Sequence, residues 1–179
     1  MKRTTIIYGL IAGAVVSAFM AITMIIFASN ESFHAGTLSM VVGYLGMLIA
    51  FTFIFVAIKT YRDKQNNGII SFEKAFSMGL LISLIASTMY VITWAIVYKY
   101  FVPDYMDKYC AMMTEQAKAS LAGTALQDKL NEISKAKEMY ATPSGFILYT
   151  YAEILPVGIL VSLIAALVLK RKRVKVALA

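Results

Sequence analysis

The sequence predicts an all-α polytopic membrane protein: four transmembrane helices, with a helical connector between the third and the fourth. Apolar residues make up 60% of the chain and charged residues only 15%, whereas a soluble domain needs roughly a quarter charged to cover its surface. Four apolar stretches reach the ~20 residues that a hydrocarbon core of about 30 Å requires. Lys and Arg gather just beyond the ends of those stretches. Orientation and anionic lipid therefore account for the net charge of +7, and no nucleic-acid partner is called for.

The first span covers about 4–28 and follows Lys2 and Arg3. It is longer than the apolar core of about 7–15 residues in a signal peptide, and Ile26-Phe27-Ala28 makes a poor cleavage site. The short connector after it holds Asn30, Glu31 and His34. Glu31 and His34 have metal-ligand chemistry but lack a third ligand, so they read as a solvated pair. The second span covers about 35–58 and runs into a polar turn between Lys59 and Gly68. Mixed apolar and charged residues over 69–76 suggest an interfacial elbow leading to the third span, about 77–101.

The connector 102–141 has Met106, Tyr109, Cys110, Met113 and Ala117 at helical spacing, then Leu126, Leu130, Ile133 and Tyr140. Two short amphipathic helices follow, divided at Gly123-Thr124, with Thr124 to Gln127 spaced as a capping box. Cys110, the lone cysteine, excludes an internal disulfide; its place on the apolar face predicts burial. Thr142-Pro143 supplies a cap and an N1 proline for the fourth span, about 144–169. The tail 170–179 carries Lys170, Arg171, Lys172, Arg173 and Lys175, a stop-transfer run suited to anionic lipid.

With the N-terminus inside, the inner segments hold the basic excess, while the connector's lysines are offset by acids. Both termini are thus expected in the cytoplasm, with the connector outside. Each span also carries a ridge of small residues: Gly9, Gly13 and Ser17; Gly46 and Ala50; Gly79, Ser83 and Ser87; Gly158, Ser162 and Ala166. Such ridges let helices approach closely in lipid and predict a compact four-helix bundle. Gly9-Leu10, Ser17 and Ile22-Thr23 align at one offset with Gly79-Leu80, Ser87 and Ile92-Thr93, as a parallel duplication would produce.

Glu153 is the only ionisable residue set deep in a span. It lies about 13 Å from the outer end at helical rise. An acid there is expensive and marks a candidate site. Tyr44 lies equally deep in the second span, and Tyr90 and Thr93 bracket that level in the third. With no counter-ion in reach, desolvation favours the neutral acid. Hydrogen bonding to Tyr44, Tyr90 or the Ala152 carbonyl freed by Pro156 is expected. Trp94, Tyr98, Tyr100, Phe101, Tyr149 and Tyr151 crowd the outer ends of spans three and four, as an interfacial belt would. No nucleophile–base pair, glycine-rich phosphate loop or paired carboxylates occur, so neither an enzyme nor a cofactor is expected.

Several stretches carry a family resemblance: Ile7-Tyr8-Gly9-Leu10, Asn67-Gly68 through Ser71-Phe72-Glu73-Lys74-Ala75-Phe76, Pro103-Asp104 through Lys108-Tyr109, and Glu153-Ile154-Leu155-Pro156-Val157-Gly158 with Lys170-Arg171-Lys172. Nearly the whole chain resembles the domain-of-unknown-function 4199 family of small membrane proteins, mostly of Bacteroidota. The resemblance implies a bacterial inner-membrane location and four spans, and brings no activity. Two functions stay open. One is a non-enzymatic interaction or scaffold protein, working with another membrane protein or as a homo-oligomer. The alternative is a small proton- or ion-coupled transporter that uses Glu153 and works as an oligomer.

Overall fold

The structure, a computed structural model, describes residues 1–28 and 37–171. Glu31 and His34, and the tail residues Lys172, Arg173 and Lys175, lie outside the described residues. Six helices form: α1 (Lys2–Ala28), α2 (Thr37–Gln65), α3 (Phe72–Tyr100), α4 (Tyr105–Ser120), α5 (Gly123–Tyr140) and α6 (Pro143–Leu169). Four of them, α1, α2, α3 and α6, are long and apolar enough to cross a membrane. Their outward faces present large aliphatic side chains such as Ile22, Ile49, Leu81, Ile92, Leu160 and Val168. Apolar surface on that scale belongs to a lipid-facing protein rather than a soluble monomer.

Two element boundaries differ from the sequence reading. The stretch from Lys59 to Gly68 was expected to be a polar turn, but α2 continues to Gln65 with Arg62 and Lys64 in its last turn. Cations there complement the negative end of the helix dipole, and Arg62 Nη1 also donates to the Leu169 carbonyl at 3.2 Å. The expected elbow at 69–76 is instead the start of α3: Ser71 is its N-cap, accepting from the Lys74 N–H at 3.3 Å. The turn between them is tight because Asn67 and Gly68 both take positive φ, 51° and 75°, a conformation that Asn and Gly tolerate best. Gly68 N–H then returns to the Arg62 carbonyl at 2.8 Å.

The capping box expected at Thr124 does not form. Helix α5 begins at Gly123, Ala122 occupies the cap position, and no side chain caps it. Thr142 does cap α6, accepting from Gly145 N–H at 3.1 Å with Pro143 in the first turn. Helices α4 and α5 pair as a hairpin, joined by Lys137 Nζ to Asp107 Oδ1 at 2.7 Å, and α5 packs on α6. Cys110 is buried within this hairpin region.

Helix α1 packs on α3 and α2; α6 packs on α3 and α2. The small residues decide which faces meet. A Cβ at Gly13 would stand 3.2 Å from the Ala86 Cα, so α1 needs that glycine to approach α3. Gly46 of α2 accommodates the Phe19 ring of α1. The α3–α6 seam is reciprocal: Gly79 lies under Ser162 and Gly158 under Ser83. The two serine hydroxyls are 3.1 Å apart, and each also reaches its own helix's glycine carbonyl. The aligned ridges of α1 and α3 therefore have different neighbours, one facing α3 and the other α6. They are not equivalent by position.

Met1, the α2–α3 turn and the end of α6 share one end of the molecule. Thr4 and Gln65 exchange hydrogen bonds, with Gln65 Nε2 donating at 2.8 Å. Among the described residues no strand forms, but Ile70 and Arg171 pair as one antiparallel bridge. The α4–α5 hairpin covers the opposite end.

Candidate functional site

Beneath the hairpin lies a cavity of about 430 Å³ to which all six helices contribute. Helix periodicity determines its walls. Val16, Met20 and Thr23 come from one face of α1, Tyr44 and Met47 from α2, and Tyr90 and Trp94 from successive turns of α3. Tyr105 and Tyr109 are one turn apart on α4, and Ala136 and Tyr140 on α5. Tyr149, Thr150 and Glu153 share a face of α6. Lysine, arginine and histidine are missing from these walls among the described residues.

Glu153 lies on the cavity wall and is solvent-accessible there. Two other wall residues, Tyr44 and Tyr149, are likewise 48% and 39% exposed. Tyr90, by contrast, is buried at 6%. Of the residues expected around Glu153, the structure brings Tyr44 and Tyr90 to the same cavity. Thr93 and Pro156 are not on its walls, and α6 continues through Pro156 without ending. The carboxyl makes no hydrogen bond among the described residues. The donation expected to Tyr44, Tyr90 or the Ala152 carbonyl does not form. Its electrostatic neighbours are the phenols of Tyr90, Tyr105 and Tyr140.

The aromatic residues depart further from expectation. Trp94 is 6% exposed and points inward, its indole N–H donating to the Tyr140 hydroxyl at 2.7 Å. A buried indole seeks such an acceptor. Trp94 also meets Tyr105 edge-on at 5.1 Å, and Tyr98 packs on Tyr140 and Phe146 at 5.8 and 5.5 Å. These rings pin the hairpin to α3 and α6 instead of forming a belt, while Tyr100 and Phe101 stay outward, 69% and 54% exposed. Burial pushes the Tyr105 hydroxyl well up from its ordinary acidity, and the charge of Glu153 adds to it. Burial likewise pushes Tyr140 up to about 12, although its bond from Trp94 acts the other way. Both phenols therefore stay neutral at physiological pH.

Tyr105, Tyr109 and Tyr140 escaped the sequence reading of the site. Their signal was present: Tyr105 and Tyr109 share a helix face, and Tyr140 ends the apolar stripe of the next helix. Two buried hydroxyls, Ser17 and Ser87, lack a partner among the described residues. Each lies three residues before a cavity residue, Met20 and Tyr90. At the opposite end, Lys170 and Arg171 are exposed, and Lys74 sits over the Tyr61 ring at 5.0 Å. Among the described residues no group of His, Cys, Asp and Glu is suited to a metal ion.

Residues 7–171 match the family described as a protein of unknown function, DUF4199. The chain belongs to the DUF4199 family. The match begins at the Ile7-Tyr8-Gly9 opening of α1 and ends at Arg171 in the Ile70 bridge, so it takes in the whole cavity. No curated protein and no solved structure matches this DUF4199 chain.

Proposed function

We propose that this protein is a non-enzymatic, multi-pass protein of the bacterial inner membrane that binds a small ligand in the hairpin-capped cavity, with Glu153 as its proton-exchanging group. Both termini lie in the cytoplasm, where the basic end meets anionic lipid, and the hairpin lies outside. The charge bias between the two ends supports that orientation. The observation that carries the function is the environment of Glu153: an acid at membrane depth, on a cavity wall, with neither a basic neighbour nor a hydrogen bond among the described residues. A purely structural carboxyl would be expected to hold a partner. An accessible one is free to exchange protons or meet a ligand. The titratable groups on the same walls are Tyr44 of α2, Tyr90 of α3, Tyr105 and Tyr109 of α4, Tyr140 of α5 and Tyr149 of its own helix; α1 contributes none.

Dicyclohexylcarbodiimide tests this reading, because it enters apolar sites and adds to the protonated carboxyl. Peptide mass spectrometry is expected to find the adduct on Glu153, falling as pH rises and absent in Glu153→Gln. Helix α5, which has no buried residue among its 18, supports the alternative of an interaction or scaffold protein. An unlabelled Glu153 together with crosslinking of Leu130→Cys to one protein partner would replace the ligand reading with that one.

A further inference from the structure

We infer that the cavity is a receptor for an organic ammonium cation; the inference rests on the ligand-binding role proposed above and names the class of ligand. The first argument is the wall. Tyr109 stacks beside Tyr105 at 6.2 Å, Tyr105 meets Trp94 at 5.1 Å, Trp94 donates to Tyr140 at 2.7 Å, and Tyr140 meets Tyr149 at 6.1 Å. Five aromatic side chains from four helices thus form one continuous arc along the cavity. They are fixed by contacts with each other before any ligand arrives, so little ordering cost remains for binding. Tyr44 and Tyr90 line other parts of the same wall.

The second argument is charge. The negative faces of aromatic rings attract a diffuse cation within about 6 Å of the ring centre. Glu153, once its proton leaves, supplies the one full negative charge among the described wall residues, and no basic side chain among them opposes it. An anionic ligand would meet an acid and no cation among the described wall residues. A neutral apolar ligand would leave the carboxyl desolvated without a partner. A compact metal ion requires several hard ligands, and the cavity offers one carboxylate. An alkylated ammonium needs no dedicated ligand set: rings and a single acid suffice. The volume of about 430 Å³ falls in the range of roughly 300–1,000 Å³ typical of small-molecule sites.

Trp94 is the chain's one tryptophan, so its emission reports occupancy of this cavity. The full-length protein in detergent is titrated with benzyltrimethylammonium and, separately, with neopentylbenzene, the same shape with carbon in place of the charged nitrogen. The cation is expected to change Trp94 emission saturably and to bind at least tenfold more tightly than the neutral isostere. Glu153→Gln is expected to weaken the cation at least tenfold and leave the isostere unchanged. The cation should also protect Glu153 from the carbodiimide in the unaltered protein. Equal binding of cation and isostere, or no binding of the cation by a protein whose Glu153 still reacts with the carbodiimide, overturns the ammonium assignment and leaves the proton-exchanging cavity standing. Failure of the carbodiimide reaction overturns the underlying reading instead. The comparison of the two ligands needs no variant, so a folding defect cannot obscure it.

Discussion

Replacing Glu153 by leucine removes a carboxyl but no hydrogen bond among the described residues, and that sets its expected cost. Interhelical hydrogen bonds in membranes contribute on average about 0.6 kcal/mol; Glu153 forms none among the described residues. Glu153→Leu is therefore expected to shift unfolding in detergent by no more than about 0.5 kcal/mol, the range of substitutions that disturb no specific contact. A loss of 2 kcal/mol or more would show that the acid holds the helices together and would refute its assignment as a ligand group. The depth of Glu153, and its shared level with Tyr44 and Tyr90, were legible in the sequence because helical rise converts residue number into depth. The roles of Trp94, Tyr105 and Tyr140 were not. Those depend on the hairpin folding back over the span ends, and composition gives Trp94 the same appearance whether it faces lipid or cavity.

At the scale of elements, the α3–α6 seam leaves no room for a methyl group on either side. A Cβ on Gly79 would lie 2.7 Å from the Ser162 Cβ, and one on Gly158 would lie 2.7 Å from the Ser83 Cβ. Neither serine can swing aside, because the Cβ itself is the obstacle. Gly79→Ala and Gly158→Ala are each expected to destabilise by about 1–3 kcal/mol, the usual cost of overpacking. Gly43→Ala meets nothing within 4 Å and is the control: it should be neutral or stabilising by up to about 1 kcal/mol through helix propensity. Denaturant titration followed by helical circular dichroism measures all three, and a Gly43→Ala cost equal to the others would remove the packing argument. The spacing of small residues told where each helix is thin. It could not tell which neighbour fills the groove, since Gly9-Gly13 and Gly79-Ser83 look alike and face different helices.

For the whole molecule the proposed orientation gives a direct expectation. In a Cys110→Ser background, a membrane-impermeant thiol reagent applied to intact cells should label Ala125→Cys on the hairpin and spare Lys64→Cys at the other end. Both positions are exposed in the structure, so burial would not account for a difference; the reverse pattern would invert the topology. The number of spans and the division of the connector were readable from apolar length and helical period. Their joints were less so: Ser71 and Arg62 act through a cap and a cross-chain carbonyl contact that exist only once the helices are assembled. The order of packing also has a consequence in time. Helix α1 rests Gly9 and Gly13 on α3, which the ribosome delivers only after α2 is complete. Until then, the first helix pair carries an unfilled groove in the membrane, and its lifetime in that state is set by the speed of translation.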